Sequence, residues 1–146
     1  MNELEINLKN RFLEGKYWIS FIAAFIVMYF LSYLFHVVVA AEFIHDTFRA
    51  VVAPGQHHEN IMGIAIDYLI LSASMAWLFP VVQGKVLYKA FLFGLSIGVL
   101  AHISAAFSMS ATMNISFSNL LLDKSWHVVE TIVGSITIGL IRGTAK

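Results

Sequence analysis

The chain is 146 residues long, enough for one domain, and carries no net charge. Hydrophobic residues make up 59% and charged residues 12%, where a soluble domain has roughly half and a quarter. So small a core cannot bury that excess, and lipid is its expected solvent. Neutrality argues against nucleic acid as a partner, and the absence of cysteine excludes disulfides, thiolate metal sites and a cysteine nucleophile.

Residues 1–16 carry three acids and three bases, and positions 2–13 predict a surface helix of loose amphipathic pattern. The apolar run after them is too long for a signal-peptide core and lacks a small-x-small cleavage site. It is therefore read as a retained first span, residues 17–41, with His36 as its one ionisable group. Residues 42–53 predict a short helix ended by Pro54-Gly55, with Glu42, His45, Asp46 and Arg49 on one face. His57-His58-Glu59 reads as a solvated loop at the entrance to the second span, residues 61–82, which Asp67 interrupts and Pro80 and Gly84 close. The third span, residues 86–109, contains His102, and Lys89 is near enough to its start to snorkel. The polar stretch 110–124 predicts an interfacial turn around 117–122. A fourth span, residues 125–141, contains His127 and Glu130, with Asp123 or Ser125 as its N-cap.

These elements define an all-α integral membrane protein, a single-domain bundle of four transmembrane helices. The runs are too long for barrel strands and lack strict alternation. Lys9, Arg11, Lys16, Lys85, Lys89, Arg142 and Lys146 fall on one side of the bilayer and only Arg49 and Lys124 on the other. The positive-inside rule therefore predicts that both termini are cytoplasmic. All six histidines then lie in the outer half or the outer loops, together with Glu42, Asp46, Glu59, Asp67, Asp123 and Glu130.

Depth and helical face bring several of these groups to a common level. His36, Asp67 and His102 each lie about 8–10 Å below the outer end of their span, and His127 and Glu130 about 3 and 8 Å into theirs. Tyr29, Ser32, Tyr33 and His36 share a face of the first span. Gly94, Gly98, His102 and Ala105 share one on the third, and His127, Glu130, Thr131 and Gly134 one on the fourth. The Gly94-x-x-x-Gly98 pair permits close approach of another helix.

Ionisable side chains inside a span are costly and usually face the bundle interior or a water-filled cavity. Asp67 is the strongest single case. His36 or His102 alone reads as a hydrogen-bonded packing residue, but together with Asp67, His127 and Glu130 they predict an inner set of cation ligands, with Glu42, His45 and Asp46 as an outer set. Imidazole and carboxylate suit zinc, manganese, iron or a proton. Glu42-x-x-His45 and His127-x-x-Glu130 each place both ligand types on one helical face, and di-metal bundles use Glu-x-x-His pairs; only the first pair here has that order. Haem b is the less favoured cofactor, permitted by paired imidazoles on His36, His102 and His127.

The Gly94-x-x-x-Gly98 stretch after a short basic loop, with Trp126 followed by Gly134 and Gly139, resembles small four-span inner-membrane proteins of bacteria. The resemblance implies a bacterial inner-membrane setting and carries over no activity or site residue. The expected role is therefore a transporter component, channel or sensor that binds or passes a divalent metal ion or a proton. Because four short helices enclose little space, the chain is expected in a homo-oligomer or as a subunit of a membrane complex. The alternatives are a redox subunit or enzyme holding haem, quinone or a metal centre, and an accessory or assembly subunit without a ligand.

Overall fold

The computed structural model describes residues 14–48, 61–82 and 84–143. The surface helix expected over 2–13, the Pro54-Gly55 stop, Arg49 and His57-His58-Glu59 lie outside the described residues. Among the described residues every element is helical.

Helix α1 (Gly15–Tyr33) passes into a π-helical turn, Leu34–Val39, and breaks at Ala40 before the short α2 (Ala41–Phe48). Helix α3 (Ile61–Leu78) ends in a 3₁₀ turn, Phe79–Val81, that contains Pro80. Gly84 reverses the chain at φ +118°, a left-handed conformation that glycine adopts without a Cβ clash. Helix α4 (Val86–Gly98) runs through a second π-helical turn, Val99–Ile103, into α5 (Ser104–Thr112). The last helix, α6, covers Phe117–Arg142.

The sequence reading placed the start of that last helix too late. Ser116, in a non-helical conformation, is its N-cap residue, so the turn expected near 117–122 is the first part of α6, and Asp123 and Ser125 lie inside the helix. Within residues 117–124 Leu120 and Asp123 are buried, while Phe117, Ser118, Leu121 and Leu122 are exposed.

Three segments are long and apolar enough to cross a membrane: Gly15–Val39, Met62–Val81 and Val86–Thr112. At most 28% of any of their most apolar stretches is buried within the chain, so their outward faces need an apolar solvent. On α1 the buried positions Tyr17, Ser20, Ala24, Met28 and Ser32 recur every three or four residues, while Ile19, Ile22, Ile26 and Phe30 face outward. A soluble amphipathic helix has the opposite arrangement, apolar in and polar out.

Helix α6 packs chiefly against α4 and α1, and its buried face carries Asp123, Glu130, Thr131 and Ser135 alongside Leu120, Val128 and Ile138. It runs antiparallel along the whole of α1. Arg142 pairs with Glu14 at 2.6 Å near one end, and Trp126 Nε1 donates to the Leu31 carbonyl at 3.3 Å near the other. Arg142 also donates to the Ala76 carbonyl at 3.1 Å, which ties α3 to the same end.

Against α4 the approach is closer still. A Cβ on Gly94 would stand 2.6 Å from the Ile132 Cα, backbone that cannot turn aside. Substituting Gly94→Leu should therefore force α4 and α6 apart and cost about 1–3 kcal/mol of stability, as overpacking of cores does. Gly15→Ala, where a Cβ meets nothing within 4 Å, should change stability by no more than ~0.5 kcal/mol. Unfolding of both variants in detergent, followed by circular dichroism, checks the pair; equal stability would mean the helices are not in contact at Gly94.

Candidate metal centre

Four helices deliver polar side chains to one level of the bundle, Tyr68 coming from α3. His36 comes from the π-helical turn that follows α1. A π turn holds one more residue per hydrogen-bonded ring than an α turn and so re-aims the side chains it carries. His102 sits in the corresponding turn after α4. His127 comes from α6 between them, and its ring stacks on both: centroids are 5.0 Å apart for His36–His127 and 5.0 Å for His102–His127, at interplanar angles of 28° and 26°. Phe35 stacks on Trp126 at 4.6 Å and 12°, fixing α6 against α1 beside the stack.

Asp123 and Glu130 supply the carboxylates, and both are buried. One Asp123 oxygen lies 2.9 Å from His36 Nε2; the other lies 2.9 Å from Lys124 Nζ and 3.9 Å from His127 Nε2. Three nitrogen groups thus compensate one buried carboxylate. His36 Nδ1 donates to the Ser32 carbonyl at 2.8 Å. His127 Nδ1 lies 2.7 Å from Glu130 Oε2 and 2.8 Å from the Tyr68 hydroxyl, which in turn donates to the same Glu130 oxygen. Both imidazoles therefore have Nδ1 tied to an oxygen partner and Nε2 turned toward Asp123.

His36, Asp123 and His127 form a group that can hold a metal ion: one donor atom from each lies within 4.8 Å of the others. Two further buried atoms nearby, His102 Nε2 and Glu130 Oε1, have no hydrogen-bond partner among the described residues. A cavity of about 660 Å³ opens beside the group, walled by α1, α2, α3 and α6. Haem b ligated by His127 and either neighbour would need the rings to part, because stacked at 5.0 Å they leave no slot for a macrocycle.

The expected ligands are distributed unevenly. His36 and His127 belong to the group; Glu130 touches it through His127, and His102 reaches it by ring stacking. Asp67 is exposed and lines the cavity. Glu42, His45 and Asp46 are exposed on α2, where His45 Nδ1 stands 3.5 Å from Asp46. Sequence reasoning missed Asp123, Lys124 and Tyr68. The signal for Asp123 was present: it stands four residues before His127, on the same face of a helix. Starting that helix at residue 125 hid it.

No protein-family model, curated protein or solved structure matches the chain.

Replacing Tyr68 by Phe keeps the ring packed edge-on against Tyr29, at a centroid distance of 6.3 Å, but removes the proton that Glu130 accepts. Tyr68→Phe should lower the unfolding free energy by about 0.5–1.5 kcal/mol, the net worth of one hydrogen bond, since His127 Nδ1 still meets the same Glu130 oxygen. Chemical unfolding in mixed micelles measures it, and wild-type stability would show that the hydroxyl does no work.

Proposed function

We propose that this chain is a four-span membrane protein that binds a divalent transition-metal ion in the outer half of the bilayer, as the binding unit of a transporter, channel or sensor. His36, Asp123 and His127 are the ligands. The observation that carries the reading is the paired orientation of the imidazoles, each with Nε2 aimed at a shared carboxylate and Nδ1 held from behind. Metal-ligating histidines are characteristically fixed in this way, by a carbonyl or carboxylate on the opposite ring nitrogen. Two imidazoles and one carboxylate suit zinc, manganese or iron. Three protein ligands leave a coordination position open, as exchangeable sites require.

The fourth crossing is α6. Its partner contacts run from Glu14 and Arg142 at one end of α1 to His36 and Asp123 beyond the other, so a bilayer that α1 crosses is crossed by α6 as well. The basic residues at the Glu14–Arg142 end support cytoplasmic termini, which sets His36, Asp123 and His127 toward the outer face. The setting we infer is a bacterial inner membrane. The exposed apolar faces of α1 and α4 leave room for a second copy or a partner subunit.

Two measurements test this. Protein purified in detergent without chelator should retain about one zinc, manganese or iron ion per chain by elemental analysis. His36→Ala and Asp123→Asn should lose it, and Glu130→Gln should weaken binding about 10–100-fold, as loss of a supporting carboxylate does. Equal metal content in wild type and Asp123→Asn would remove the metal centre. For topology, the absence of native cysteine makes single-cysteine labelling clean: Asp46→Cys should react with a membrane-impermeant maleimide on intact cells, and Lys85→Cys only after lysis. The opposite pattern would invert the bundle.

A further inference from the structure

The cavity beside the imidazole stack carries an acid, Asp67, that nothing among the described residues compensates. Asp67 lies in the membrane-crossing segment Met62–Val81 and lines the cavity, yet it has no hydrogen-bond or ion-pair partner among the described residues. The other charged groups on the wall are matched, Asp123 by His36 and Lys124 at 2.9 Å each. An intramembrane carboxylate is costly unless a partner or water meets it. Much of the remaining wall is apolar, with Val37, Ile44, Phe48 and Ile64, while Ser32, His36, Lys124 and His127 line the side nearest the imidazole stack. Tyr29, Tyr33 and Tyr68 add aromatic rings.

A carboxylate set beside aromatic rings in a largely apolar cavity is complementary to an organic cation, which is attracted both by the charge and by the ring faces. The volume, about 660 Å³, is far larger than one metal ion needs and falls in the range of small-molecule sites. An anionic amphiphile would meet the unmatched Asp67, since Lys124 on the same wall is already engaged by Asp123. Tyr33 and Val37 belong both to the cavity wall and to the exposed apolar surface of the bundle, 53% and 44% exposed, so an apolar molecule reaches the cavity from the bilayer. We propose that this cavity binds a lipophilic organic cation, with Asp67 as its counter-charge. The proposal rests on the unmatched carboxylate and the cavity walls, and does not depend on the metal centre.

Tetraphenylphosphonium is a suitable probe, tested by equilibrium dialysis against the chelator-treated protein in lipid nanodiscs. Saturable binding of one probe per chain is expected. Asp67→Asn, which keeps the shape and removes the charge, should weaken it at least tenfold. Neutral triphenylphosphine oxide should bind more weakly than the cation to wild type and equally to both proteins. Ile64→Trp, which fills the cavity and leaves Asp67 in place, should also weaken the cation at least tenfold, and decides the matter if Asp67→Asn does not fold. Non-saturable uptake by wild type, equal affinity for the cation in Asp67→Asn, a neutral analogue bound as tightly as the cation, or undiminished binding to Ile64→Trp would each overturn the proposal. Because metal is absent throughout, the outcome is separate from the elemental analysis above.

Discussion

Two carboxylates buried on one helix set the terms for the rest of this bundle. Asp123 and Glu130 lie on the inner face of α6, among the most buried residues of the chain. An ionised acid out of water is tolerated only when charge and hydrogen bonds meet it there. The surrounding helices supply them: His36 from the end of α1, Tyr68 from α3, and Lys124 and His127 from α6 itself. Removing any one of these would leave a buried acid with part of its compensation gone. The network therefore specifies which face of each helix points inward as strongly as apolar packing does.

That demand explains the two irregular turns. α1 and α4 both leave α-helical geometry at the level of the site, and each does so where it carries its histidine. A π turn costs hydrogen-bond geometry and is found mostly where function or packing calls for it. Here the pair sets His36 and His102 on opposite faces of His127. The apolar sides of these helices carry no such constraint. They require only that exposed residues such as Ile26, Phe30 and Leu100 find lipid or another apolar surface.

At the opposite end of the bundle the same logic operates with a lighter load. Arg142 meets Glu14 and the Ala76 carbonyl, closing α1, α3 and α6 around a small apolar core that includes Met28, Met75, Phe79 and Ile138. Buried serines such as Ser20 and Ser72 punctuate that core, but the buried carboxylates Asp123 and Glu130 gather toward the end that holds the histidines. Asp67 has no such compensation among the described residues, being placed on the cavity wall rather than in the network.

The sequence by itself determined the helical class, the positions of three apolar segments, and the gathering of histidine and carboxylate toward one level, because hydropathy and helical rise act on each segment separately. Gly94 and Gly98 likewise marked a close helix contact before any partner was known. What only the tertiary structure decided was which of these groups meet. Asp123 looked like an N-cap because the polar stretch before it read as a loop; α6 in fact begins at Phe117, and Asp123 answers to His36 on another helix. Tyr68 was hidden beside the more conspicuous Asp67, since which of two adjacent residues faces inward depends on how α3 rotates against α1 and α6. His36 and His102 lie on π turns, so the 100° step of a regular helix does not give their direction. Pairing across helices is a property of packing, and no single segment carries it.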